Sequence, residues 1–213
     1  VTHRPQLWVI AGPNGAGKST LVRRHLTGKV PVVNPDDIAR ELSPHNPSLK
    51  NAEAGRLAIK QRAVFLQECR SFAVETTLTG KGEIKLMELA VSAGYKVNFI
   101  FVGVHDVGLS AARVALRVRA GGHNVPVVDI FRRYDRSIIN LPLAMNISDR
   151  VWIFDNSNKR RQLLLARDRD RVKQLASYLP EWFRRPSGQT GSVVRQFENL
   201  SLLRSQNAGN AAA

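Results

Sequence analysis

Gly12-Pro13-Asn14-Gly15-Ala16-Gly17-Lys18-Ser19 follows the apolar run Leu7-Trp8-Val9-Ile10-Ala11 and leads into Thr20-Leu21-Val22. The octet fits G-x-x-x-x-G-K-[ST] in full, and its flanks read as a buried strand before and a helix from about Lys18 after. The residue types suit one task. Glycines permit a tight loop whose backbone N–H groups turn toward phosphate oxygens. A lysine adds a mobile positive charge near the β- and γ-phosphates, a serine hydroxyl can ligate Mg²⁺, and the helix N-terminus favours the anion. Gly12 through Thr20 is therefore the expected ATP-binding loop, with Ser19 as the metal ligand.

Outward from this loop, apolar runs alternate with helical patterns. Val30 to Val33 reads as a second strand ending at Asn34-Pro35, and Ala52 to Arg70 as a helix with Leu57, Ala58, Val64 and Phe65 as its apolar residues. Phe72-Ala73-Val74 is a third strand, Glu83 to Ala93 a helix stopped by Gly94, and Lys96 to Val104 a fourth strand. Leu109 to Ala120 is an Arg-rich helix, Pro126 opens another to about Asn140, and Arg150 to Phe154 is a fifth strand. Strands apolar on both faces, alternating with helices, predict an α/β, doubly wound, mostly parallel sheet with helices on both sides. Ligands of such sheets sit at the C-terminal strand ends. One phosphate-loop domain is expected over residues 1–185, with a lid at about 109–140, and a polar, flexible tail over 186–213.

The chain has 213 residues and a net charge of +15, from 32 Lys and Arg against 17 Asp and Glu. That excess attracts nucleotides, nucleic acid and other polyanions. Cys69 is alone, so an internal disulfide is excluded and a reducing cytoplasm is the expected compartment. No apolar run has the length of a membrane span, and Val1 to Pro5 leads straight into the first strand, which speaks against a signal peptide. A transport ATPase would need a downstream Leu-Ser-Gly-Gly-Gln signature, which is absent, and the nearest apolar run before an Asp, Val151 to Asp155, comes late.

Asp36 and Asp37 stand just past the second strand, where a carboxylate could hold and deprotonate an attacking hydroxyl. The competing role for Asp36 is capping the helix through Leu42. Glu75, Thr76 and Thr77 end the third strand, the two threonines as candidate hydroxyl contacts, one of them open to a capping role instead. Arg113, Arg117 and Arg119 lie on one helix and Arg132, Arg133 and Arg136 on the next, joined by Gly121-Gly122-His123. Such a pair suits a lid that neutralises a triphosphate, against the ordinary reading of solvated basic faces. Lys159-Arg160-Arg161 and the Arg-Asp alternation of Arg167 to Lys173 read as solvated, the latter as a helix with local ion pairs.

Taken together, the loop, Val33-Asn34-Pro35-Asp36, Val74-Glu75-Thr76-Thr77 and Arg117 to His123 resemble the zeta-toxin family over about residues 7–157. The resemblance implies a P-loop kinase using ATP and Mg²⁺ to phosphorylate a hydroxyl of a nucleotide sugar, typically UDP-N-acetylglucosamine. It implies Asp36 as catalytic base, Lys18, Arg117 and Arg133 as stabilisers of the transferring group, with Arg132 an alternative, and Glu75 in the substrate pocket. It admits an antitoxin protein as a partner, one that would block the ATP site. Other readings differ in class: a kinase of a nucleic-acid end or a dinucleotide, or a non-catalytic ATP-binding switch.

Overall fold

Strand β1, Gln6–Ala11, is an interior strand, third in order, of a seven-stranded sheet. The computed structural model describes residues 4–122 and 124–184. His123, the tail over 186–213 and the weak amphipathic helix expected over Val193 to Leu203 lie outside them.

The remaining strands are β2 (Val32–Val33), β3 (Phe72–Thr76), β4 (Lys96–Gly103), β5 (Arg150–Asp155), β6 (Gln162–Asp168) and β7 (Arg171–Leu175). Their order is β2-β3-β1-β4-β5-β6-β7. The first five are parallel, with Val9 level with Val74 on β3 and Phe99 on β4. Parallel strands need crossovers, and helices supply them: α1 (Lys18–His25), α2 (Pro35–Leu42), α3 (Asn51–Gln67), α4 (Lys81–Ser92), α5 (Val107–Arg119) and α6 (Val127–Ile147). A short α7, Glu181–Arg184, follows the sheet. None of the described helices is long and apolar enough to cross a membrane.

Both faces carry helices because both faces of the parallel strands are apolar. Phe72 is level with Leu7, and it packs against Phe65 of α3. Phe101, on the same face by the alternation of side chains, packs against Trp182 of α7. The other face presents Trp8, Ile100, Trp152 and Phe154, which with Leu21 and Leu26 line an apolar groove beside α1. Trp8 and Trp152 stack there, 5.9 Å between ring centres.

Three local expectations are corrected. The stretch Arg167 to Lys173 is not a solvated helix: it is the hairpin of β6 and β7, antiparallel and at the sheet edge. Its charges still pair locally, Asp168 with Arg150 at 3.1 Å and with Lys173 at 3.5 Å. Helix α6 does not stop near Asn140 but runs through Pro142 to Ile147. Burial of Leu141, Ala144 and Met145 against the main core offsets the backbone bond that the proline removes. On α3 the buried stripe is Ala54, Ala58, Arg62 and Phe65, whereas Leu57 and Val64 are exposed.

Candidate active site

The C-terminal strand ends open into one cleft of about 540 Å³. Asn14, Gly15, Gly17, Lys18, Ser19 and Thr20 form its floor. Gly12, Pro13 and Ala16 of the same loop are buried behind it. The glycines are needed for the loop's conformation. Gly12, Gly15 and Gly17 have φ of 137°, 70° and 94°, and a Cβ on Gly12 would come 2.1 Å from the Val102 carbonyl oxygen.

Lys18 is only 7% exposed. Its Nζ donates to the carbonyls of Gly12 (2.8 Å) and Pro13 (2.9 Å). Burial brings its pKa down to about 8, against the opposing pull of Glu75 and Asp36 and with a further push from Arg117 and Arg133. The amine is thus folded onto its own loop and holds its proton weakly.

Glu75, at the end of β3, is the hub of the floor. It accepts from the Ser19 hydroxyl at 2.7 Å and from Asn34 Nδ2 at 3.4 Å. Burial raises its pKa, Lys18 and the Ser19 bond oppose this, and Asp37 and Asp36 add to it. Among the described residues no three His, Cys, Asp or Glu side chains converge as a cation cage. The oxygen donors present, the Ser19 hydroxyl beside the Glu75 carboxylate, fit magnesium, which shares its shell with phosphate oxygens and water.

Asp36 is exposed and lines the cleft. The capping role that its position allowed belongs instead to Asn34, whose side-chain oxygen accepts the Asp36 N–H at 3.0 Å. Asp37 pairs with Arg40 and does not line the cleft. The carboxylate facing the floor is therefore that of Asp36, free of the helix end.

Thr76 and Thr77 line the next wall. The Thr76 hydroxyl oxygen accepts the Leu78 N–H at 3.0 Å, and Thr77 shares a bond with Thr79 at 3.2 Å. Leu78 itself has φ of 58°, a left-handed conformation unusual for leucine. Its fully buried side chain and the bond from Asn140 to its carbonyl (2.8 Å) hold it there.

Of the arginines on α5 and α6, Arg113, Arg117, Arg132 and Arg133 line the cleft, while Arg119 and Arg136 do not. Arg113 has a bracing position, donating to the carbonyl of Asn156 at 2.7 Å. Asn156 in turn donates to the loop carbonyl of Ala16 at 2.8 Å. Arg132 and Arg133 lie 2.7 and 3.8 Å from Asp129. A small separate core of Val114, Val125 and Ile130 holds α5 and α6 together at this end.

Sequence reasoning missed Arg23, Arg62, Thr79 and Glu83, all of which line the cleft. Arg62 had a readable signal: it falls on the spacing of Ala54, Ala58 and Phe65, the one charge in a buried stripe.

Against known proteins, the family model described as AAA domain matches residues 7–132. An uncharacterized protein of Haemophilus influenzae is 33% identical over 138 residues, covering 62% of this chain and 99% of its own length. Among solved structures, the AvrRxo1-ORF1:AvrRxo1-ORF2 complex with sulphate ions superposes with a TM-score of 0.69 at 15% identity, over 81% of this chain and 61% of that one. The same complex with ATP gives 0.64 at 15% identity, over 78% and 59%. The chain thus spans about three-fifths of that protein's length. The PezAT chromosomal toxin–antitoxin system of Streptococcus pneumoniae gives 0.52 at 18% identity, over 75% and 72%. These structures share the P-loop kinase-like fold with this chain.

Proposed function

The chain belongs to the AAA domain family, and from that premise we propose that it is an ATP- and Mg²⁺-dependent phosphotransferase acting on a hydroxyl of a nucleotide sugar such as UDP-N-acetylglucosamine. One observation carries the reading: a phosphate loop, a carboxylate free of capping duty, Arg117 of α5 and Arg133 of α6 share one cleft. A switch that only bound nucleotide would not need Asp36 facing the loop.

In this reading Gly12 to Thr20 cradle the triphosphate. Lys18 leaves the carbonyls of Gly12 and Pro13 for the phosphate oxygens. Ser19 would hold magnesium, which when bound neutralises charge on the phosphate oxygens. Asp36 orients the acceptor hydroxyl and takes its proton as oxygen attacks the γ-phosphorus. The bond from that phosphorus to the bridging oxygen breaks, and ADP leaves with the electron pair. Arg117 and Arg133 counter the charge on the transferring group, and Glu75, Thr76 and Thr77 flank the acceptor. AvrRxo1-ORF1:AvrRxo1-ORF2 was solved with ATP and PezAT is a toxin–antitoxin system. Those likenesses support nucleotide binding and a protein partner.

The test is incubation with ATP and Mg²⁺ and a panel of UDP-sugars, NAD and short oligonucleotides, followed by mass spectrometry for an added phosphate, with Asp36→Asn as control. Phosphate on a UDP-sugar that vanishes in the variant is the expected result. ATP binding without transfer to any acceptor would overturn the assignment.

A further inference from the structure

One charged pair in the cleft has no part in the transfer chemistry. Arg62, on the buried stripe of α3, is 9% exposed. Its Nη1 lies 3.7 Å from Oε1 of Glu83, in the first turn of α4, which is beyond hydrogen-bond reach. Its Nε is buried and has no hydrogen-bond partner. A guanidinium carries five N–H donors in a planar fork, and one withdrawn from water with a single loose ion pair is under-satisfied. An oxyanion is what the fork fits.

The surroundings point the same way. Arg62 and Glu83 line the cleft together with Glu75, Thr77 and Thr79. Gly80 gives α4 no side-chain cap, so that helix start lacks a side-chain acceptor. Across the whole cleft, seven Lys and Arg side chains face three Asp and Glu. A magnesium-bound triphosphate neutralises only part of that excess.

We propose that Arg62 is a specificity-determining residue of the acceptor side, binding an oxyanion, phosphate or carboxylate, carried by the hydroxyl substrate, with Glu83 holding the guanidinium until that anion arrives. This rests on the phosphotransferase reading and adds the demand that the acceptor be anionic near its reacting end. The bound anion takes over from Glu83 and satisfies the orphaned Nε–H.

The experiment fills the loop with a non-hydrolysable ATP analogue and Mg²⁺. Inorganic phosphate, acetate, N-acetylglucosamine 1-phosphate and neutral N-acetylglucosamine are then titrated, followed through the arginine Nε–H resonances of ¹⁵N-labelled protein. The phosphorylated sugar should bind and shift the Arg62 resonance, and the neutral sugar should not. Phosphate against acetate tells which oxyanion is preferred. Arg62→Gln should weaken anion binding roughly tenfold or more, with Arg62→Lys between. Glu83→Gln, which removes the competing carboxylate, should tighten it. Analogue affinity should stay within about twofold in all three, which also reports an intact fold. Wild-type binding in Arg62→Gln, equal loss in Arg62→Gln and Glu83→Gln as a purely structural pair would give, or no anion bound to the filled protein each overturns the proposal. Failure of the wild type to bind the analogue is a separate result and strikes the phosphotransferase reading itself.

Discussion

The Ser19 hydroxyl donates to Glu75 Oε1 at 2.7 Å, tying the start of α1 to the end of β3. Asn34 extends the link: its amide reaches Glu75 and its oxygen caps α2 at the Asp36 N–H. The phosphate loop, the end of β3 and the backbone of Asp36 are thus tied to one another.

Asp36→Asn keeps every one of these bonds, since none uses the Asp36 carboxylate. Transfer should therefore fall by roughly 10²- to 10⁴-fold, the usual size of a lost general base. Nucleotide affinity should be unchanged. Parallel measurement of turnover and of ATP-analogue binding checks both halves, and equal loss of the two would contradict the assigned role.

Lys18 has a pKa of about 8 in the free protein. At pH 8 about half the molecules carry a neutral amine there, and triphosphate oxygens favour the charged form. Nucleotide binding near pH 8 should therefore take up protons, and affinity should fall as pH rises through that value. Calorimetry in two buffers of different ionisation enthalpy measures the uptake directly.

Glu75 gives a pH signature in stability. Burial raises its pKa above the unfolded value, so between the two the folded chain holds more protons than the unfolded one. Stability from this group is present below pH 4.5 and is lost as pH rises through the higher folded value. Glu75→Gln should flatten that decline. Thermal melts of both proteins across the acidic range test it, and parallel curves would refute it.

The cleft arginines of α5 and α6 should separate by kind. Arg117→Ala or Arg133→Ala should slow transfer by roughly 10³-fold or more, on the scale of arginines that serve phosphoryl transfer. Arg113→Ala, which loses its bond to the Asn156 carbonyl, should instead destabilise the fold by about 1–3 kcal/mol. Urea denaturation beside kinetics distinguishes the two outcomes.

Gly103→Ala tests the packing of the last helix on the sheet. A Cβ there would lie 2.3 Å from ring carbons of Trp182, which also donates to Asp155 at 3.2 Å. Overpacking of this kind costs about 1–3 kcal/mol. The urea midpoint should drop with an unchanged slope.

The parallel half of the fold was legible because each of its strands is an apolar run closed by polar residues, from Leu7-Trp8-Val9-Ile10-Ala11 onward. The edge hairpin was not. Its turn, Arg169-Asp170, contains no glycine or asparagine, with Arg169 itself at φ 49°, and its strands carry the charges that edge strands favour. An Arg-Asp alternation therefore looked like a solvated helix. Within the site, motif residues could be named from spacing alone. Arg62 and Glu83 could not be paired, because they meet only when α3 and the start of α4 come together. The choice between Asp36 and Asn34 as cap likewise turned on side-chain geometry that spacing leaves open.

Arg167 of the edge hairpin donates to the carbonyls of Met145 and Ser148, where α6 ends. With 21 residues at about 1.5 Å each, that helix spans roughly 30 Å, and its other end carries Arg132 and Arg133 into the cleft. Clamped at the hairpin and packed on the core through Ile138, Leu141 and Met145, it is a strut that sets how far those arginines stand from the edge of the sheet.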